Sequence, residues 1–144
     1  MAGVAREMRG SVVVGGGATG IALRTDVPLS FWGGLDAESG EIIDRRHPLS
    51  GEIVTGRMLV LPHGRGSCSA SGVLLEAIKN GTGPAAIITS RIDPILSLGA
   101  ILAEELYGLV MPLVQLHPAD FETLRTGNTV IIDPNGHLWS ESTA

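Results

Sequence analysis

Leu59-Val60-Leu61-Pro62-His63-Gly64-Arg65-Gly66-Ser67-Cys68-Ser69-Ala70-Ser71-Gly72 runs from an apolar strand through a glycine-bearing loop into the serine-rich start of a helix. Strand feeding helix is the repeating unit of an α/β fold, and the junction is where chemistry is expected. A helix start presents unpaired backbone N–H groups and the positive end of the helix dipole, which suits a carboxylate or an alkoxide. Arg65 adds a fixed cation able to grip a carboxylate with two hydrogen bonds. Read as structure alone, the same residues are those of any strand-to-helix turn, with Ser69 or Ser71 as its N-cap.

Downstream, strand and helix alternate. Ser69 to Asn80 sets Val73, Leu74, Ala77 and Ile78 on one helical face, and Gly81 supplies the stop. Ala85 to Thr89 reads as a buried strand. Asp93-Pro94 forms an N-cap and first-turn pair, and Ile95, Leu98, Ile101, Leu102 and Leu106 carry an apolar stripe to Gly108. Leu109 to Leu116 is a further apolar strand that Pro112 marks as an edge or a bend. Pro118 to Arg125 gives a short helix closed by Gly127. Thr129 to Asp133 and His137 to Trp139 flank Pro134-Asn135-Gly136 as a terminal hairpin.

Upstream, strands and turns dominate. Ser11 to Val14 and Ile21 to Thr25 surround Gly15-Gly16-Gly17-Ala18-Thr19-Gly20, and Pro28 keeps the second run from growing into a helix. The glycine run fits a dinucleotide fingerprint, but that motif needs a helix at once, and β-like residues follow, so a hairpin turn is expected. Phe31 to Leu35 leads into the turn Asp36 to Gly40, and Glu41 to Asp44 resumes an extended pattern. Asp44-Arg45-Arg46-His47 reads as a solvated charged face. The expected architecture is α/β, with a partly parallel central sheet beside a smaller antiparallel layer, as a single domain over residues 1–144.

Composition narrows the function. The apolar and charged fractions, 44% and 17%, are those of a globular protein able to bury a core over 144 residues. A net charge of −5 without a basic block argues against nucleic acid, and short interrupted apolar runs argue against a membrane. Residues 1–10 lack an apolar signal core, which points to the cytoplasm. A single cysteine, Cys68, excludes an internal disulfide and a multi-cysteine metal site built from this chain alone. His47, His63, His117 and His137 are scattered without metal-ligand spacing, so no metal is expected here. Cys68 near a helix start could be a thiol nucleophile, but only His63 in the same loop offers a local partner, and a buried or incidental cysteine is the favoured reading.

Across residues 28–107 the chain resembles the swivel domain, or small subunit, of aconitase X, a branch of the aconitase superfamily. The segments that carry the likeness are Pro28-Leu29-Ser30-Phe31-Trp32-Gly33-Gly34-Leu35-Asp36 with Gly40-Glu41-Ile42-Ile43-Asp44, His47-Pro48-Leu49-Ser50-Gly51, and Gly64-Arg65-Gly66-Ser67 with Ser71. Asn80-Gly81, Pro84-Ala85-Ala86-Ile87-Ile88, Asp93-Pro94-Ile95 and Gly99-Ala100-Ile101 follow in the same order. The resemblance implies a swivelling β/β/α fold. It also implies a larger partner subunit whose cysteines hold an iron-sulfur cluster, with the cluster iron acting as a Lewis acid on a departing hydroxyl.

In that family the serine of the Gly-Arg/Lys-Gly-Ser motif removes a proton from substrate carbon, and Ser67 stands at its place. Arg65, Gly66, Ser69 and Ser71 are the accompanying substrate-binding candidates. The family's reactions make the chain the small subunit of a hydro-lyase, active only with its large subunit, on a small hydroxy acid. Cis-3-hydroxy-L-proline is the favoured substrate and 5-phosphomevalonate the alternative. A non-catalytic swivel module that merely closes over a partner is a reading of another class. A phosphotransfer domain, in which His63 or His47 would carry phosphate, is a third.

Overall fold

The structure is a computed structural model and describes residues 5–66 and 69–142. Its strands are β1 (Arg6–Arg9), β2 (Ser11–Val14), β3 (Ala18–Arg24), β4 (Met58–Val60), β5 (Ala86–Thr89), β6 (Leu113–Gln115), β7 (Thr129–Ile132) and β8 (His137–Glu141). Helices α1 (Ser69–Asn80), α2 (Pro94–Tyr107) and the short α3 (Pro118–Phe121) join them. The strands form one sheet in the order β1-β8-β7-β3-β4-β5-β6-β2.

Strand β3 joins the two halves of that sheet. Its residues Ala18 to Ile21 pair antiparallel with β7, and Ala22 to Arg24 pair parallel with β4. The parallel part continues through β5 to β6, and the antiparallel part through β8 to β1. Strands β1 and β2 stand at opposite ends of the order, yet only Gly10 separates them in sequence, so the sheet must curl until its ends nearly meet. Gly10 donates its N–H to the Gly136 carbonyl at 2.8 Å. A Cβ on Gly136 would lie 2.7 Å from the Gly10 carbonyl oxygen, which is why a glycine turns the β7–β8 hairpin.

Strands β4 and β5 are buried along their whole length, so their sequence is nearly continuously apolar instead of alternating. Leu23, Leu59, Leu61, Ile87 and Leu113 pack into one core with Leu74 and Ala77 of α1 and Leu96 and Ala100 of α2. Their neighbours Ala22, Met58, Val60, Ala86, Ile88 and Val114 point the other way. That second core lies within the curl of the sheet, with Met8, Phe121, Leu124, Val130 and Leu138.

Both helices end where the sequence says they should. Asp93 caps α2, Pro94 opens it, and Gly108 closes it at φ 66° with its N–H on the Glu104 carbonyl. The helices touch closely at Gly99: a Cβ there would sit 2.9 Å from the Ser71 carbonyl oxygen and 3.2 Å from a Leu74 methyl.

Three local expectations are corrected, and one strand went unforeseen. Gly15 to Gly17 is not a hairpin turn, because β2 pairs with β6 while β3 pairs with β7 and β4. Residues 6–9 form a strand although only Met8 is buried there, so no apolar rhythm announced it. The Leu109–Leu116 strand shrinks to Leu113–Gln115, with Leu109 and Val110 exposed; Pro112 still accepts the Ile87 N–H through its carbonyl at 3.0 Å. Helix α3 stops at Phe121 and does not reach Arg125.

Two helical glycines should respond oppositely to alanine. Gly72 on α1 is exposed with open space around a Cβ, so Gly72→Ala should stabilise by up to about 1 kcal/mol. Gly99→Ala gains the same propensity but forces the helices apart, and should destabilise by about 1–3 kcal/mol of overpacking less that gain. Urea denaturation of the two variants checks the opposite signs.

Candidate functional site

The parallel strands β3, β4, β5 and β6 all point their C-terminal ends the same way, and the chain segments that leave them meet there. The segment after β4 is the Pro62–Gly66 loop. Pro62 presents its carbonyl to the N–H groups of Ser90 and Arg91 at 3.2 and 3.3 Å. Gly64 bridges Leu29 in parallel fashion, and the Arg65 N–H donates to the Leu29 carbonyl at 3.1 Å. The loop is thus wedged between the Leu29 segment and the start of α2.

Asp93 fixes the α2 side. One carboxylate oxygen accepts from the Ile95 and Leu96 N–H groups at 3.0 and 3.1 Å, and the other accepts from the Gly64 N–H at 2.5 Å. Glycine at 64 lets the loop come this close, since a Cβ would stand 3.0 Å from the Asp93 carboxylate and 3.3 Å from Leu96 and push them back. Gly66 has φ +111°, and a Cβ there would stand 3.0 Å from the Ser30 hydroxyl. Ser30 and Asp93 therefore border the loop directly.

The candidates read from the sequence separate here. Arg65 and Gly66 lie together on the exposed loop, and Ser69 begins α1 as an exposed residue. Arg65 pairs with no carboxylate among the described residues. Ser71 is buried, and its hydroxyl donates to the Ile95 carbonyl at 2.7 Å, so it joins α1 to the first turn of α2. Ser67 and Cys68 lie outside the described residues.

The histidines have other work. His47 is buried, donates from Nε2 to the Val27 carbonyl at 3.1 Å and accepts the Leu49 N–H on Nδ1, so both ring nitrogens are occupied. The His63 ring lies against the Gly64 carbonyl. His47 therefore offers no free ring nitrogen of the kind a phosphohistidine needs. The expected charged face over Asp44 to His47 holds only in part: Arg45 and Arg46 are exposed, Asp44 is half-buried, and His47 turns inward to bond the Val27 carbonyl. Among the described residues no three histidine, cysteine or acidic side chains gather to hold a metal, and no helix is long and apolar enough to cross a membrane.

A concavity away from this loop lies between Arg24, Asp26, Glu122 and Thr126. Its arginine is committed to the protein: the guanidinium donates to the Leu124 and Glu122 carbonyls at 2.7 and 3.1 Å, pairs with Asp26 and Glu122, and covers the Phe121 ring. Burial opposes its charge, but the two carboxylates outweigh burial and raise its pKa. This cleft is a structural clamp.

The aconitase X swivel domain family matches residues 7–139. The chain belongs to that family. It is 46% identical over 125 residues to a cis-3-hydroxy-L-proline dehydratase of Hypocrea jecorina, which covers 87% of this chain and 21% of that protein. It is 38% identical over 128 residues to the phosphomevalonate dehydratase small subunit of Methanocella arvoryzae, covering 88% of this chain and 92% of that one. The crystal structure of Thermococcus kodakaraensis aconitase X superposes with a TM-score of 0.84 at 33% identity, over 94% of this chain and 98% of that chain. This aconitase X swivel domain therefore spans about a fifth of one kind of relative and nearly all of another.

Sequence reading missed Ser30 and the second role of Asp93. Asp93-Pro94 announced a cap, but nothing local said that the spare carboxylate oxygen would meet a glycine 29 positions earlier. Asp93→Ala should cost more than the about 0.5–2 kcal/mol of an ordinary cap loss, because the Gly64 N–H also loses its acceptor. Asp93→Ser keeps a cap and should fall between alanine and wild type. Chemical denaturation of the three proteins gives the order.

Proposed function

We propose that this chain is the small subunit of a heteromeric aconitase X dehydratase and supplies the base for dehydration of cis-3-hydroxy-L-proline. The observation that carries the reading is the Gly64-Arg65-Gly66 loop, exposed at the C-terminal edge of the parallel strands and leading into α1, in a chain of this family. Ser67 follows it directly in sequence.

In the proposed reaction the Ser67 alkoxide takes the proton from the substrate α-carbon. The electrons of that C–H bond form the ring double bond as the 3-hydroxyl leaves as hydroxide, which with one proton becomes water, and the resulting enamine gains a proton on carbon 3 and loses one from nitrogen to become the pyrroline carboxylate. A serine hydroxyl is a poor base at neutral pH, so its alkoxide needs stabilisation. The N–H groups and dipole at the start of α1, the Arg65 charge and exclusion of water by a closing partner are the means available. Arg65 also suits the substrate carboxylate, which it would hold with two hydrogen bonds. Gly66 and Ser69 line the approach to that group, and Ser71 acts from behind by fixing α1 on α2.

One cysteine cannot hold an iron-sulfur cluster, so the cluster that the family resemblance implies would be held by the larger partner, where it would supply a Lewis acid for the departing hydroxyl. Phosphomevalonate is a second reading favoured by a separate observation: the chain matches nearly the full length of a small subunit with that name. Higher identity to the hydroxyproline enzyme supports the first.

The chain alone should be inactive toward both substrates, and the complex with its large subunit should dehydrate one. In that complex Ser67→Ala should assemble normally and lose roughly two or more orders of magnitude in the chemical step. Arg65→Lys keeps the charge but not the paired hydrogen bonds, and should chiefly raise KM. Activity of the isolated chain, or unchanged single-turnover dehydration in Ser67→Ala, would contradict the proposal; the second result would favour a module that only closes over its partner.

A further inference from the structure

We propose that Trp32 and Ile92 anchor the rim of the Gly64–Gly66 loop onto a second, larger polypeptide; the inference rests on the small-subunit reading above. Ile92 and Trp32 are the most exposed large apolar side chains among the described residues, at 70% and 64%. They lie on the two segments between which the loop is wedged. Trp32 follows Ser30, whose hydroxyl borders Gly66, and Ile92 precedes Asp93, whose carboxylate holds Gly64.

Neither side chain is exposed for want of structure. Leu29, Phe31 and Leu35 are buried around Trp32, and Ser30 donates from its hydroxyl to the Trp32 carbonyl at 3.1 Å. The Leu35 N–H closes the turn on the Phe31 carbonyl at 3.0 Å. Gly34 permits it, since a Cβ there would fall 2.0 Å from the Ser30 carbonyl oxygen. Ile92 sits between Arg91, bonded to Pro62, and the capping Asp93. Both anchors therefore sit on backbone that is held before binding, and tryptophan is among the residues enriched at interface hot spots.

The occupant is argued from charge and length. Arg65 and Arg91 are exposed on the same rim, so a twofold pairing of two copies through this patch would bring arginines together. A different chain with an apolar hollow for the indole and an acidic rim for Arg91 fits better. The chain also matches only 21% of one relative and 92% of a protein named a small subunit, which leaves a much larger body to be met. Another exposed apolar pair, Leu106 and Tyr107, is at the far end of α2, about 20 Å of helix away from Asp93.

The test titrates this chain, carrying fluorotryptophan, with the large subunit of its own genome. Trp32→Ala should weaken association by about 30-fold or more and Ile92→Ser by about tenfold, while Leu106→Ser leaves it unchanged. The fluorine resonance of Trp32, assigned by its loss in Trp32→Phe, should shift on saturation while that of Trp139 stays. Wild-type affinity of both rim variants, or an unshifted Trp32 signal in the saturated complex, overturns the inference. So does a Trp32 shift produced by chain concentration or by substrate without the partner. A complex that buries Trp32 but dehydrates neither substrate sinks the proposed function and leaves the docking surface standing. An active complex with Trp32 unmoved does the reverse, and failure to bind at all removes both.

Discussion

The buried carboxylate of Asp93 holds together the parts on which the functional edge of this fold depends. A carboxylate removed from water is costly unless its oxygens are met by donors, and here three backbone N–H groups meet them. Two belong to the first turn of α2, where the helix dipole adds to the stabilisation. The third belongs to Gly64, in a loop far away in sequence. The bond between them fixes the loop against α2, and the Ser71 hydroxyl, bonded to Ile95, fixes the start of α1 against the same turn. Two helix starts and one loop thus share a few residues of α2.

Small residues make that convergence possible. Gly64 lets the loop reach the carboxylate, Gly99 lets α1 and α2 close on each other, and Gly66 takes a backbone conformation that other residues rarely adopt beside Ser30. Behind them the double-sided burial of β4 and β5 gives a rigid floor, because each strand packs one face on the helices and the other into the curl of the sheet. A base working from an alkoxide needs such a floor: its stabilising donors must be in place before the proton moves.

Much of this was legible where the physics is local. Asp93-Pro94 and Gly108 delimit α2 through capping, and the apolar face of Ser69 to Asn80 gives α1 its full extent. Strands β4 and β5 follow from unbroken apolar runs. What escaped was long-range. Arg6 to Arg9 becomes a strand only because β8 offers it an edge, and Gly15 to Gly17 joins strands that pair elsewhere. The candidate site was legible as a motif, through Arg65, Gly66 and Ser67, and through family likeness. Its neighbours Ser30, Trp32 and Asp93 converge on it only after the chain has folded, and no spacing in the sequence encodes that approach.

The central claim is that proton removal from substrate carbon is done from this loop. It is tested most directly by following solvent deuterium into the α-position of cis-3-hydroxy-L-proline, or the corresponding carbon of phosphomevalonate, bound to the assembled complex. The account predicts exchange in the wild-type complex and its loss in the Ser67→Ala complex, with substrate still bound. Exchange at the wild-type rate in Ser67→Ala would contradict it and move the base to another residue.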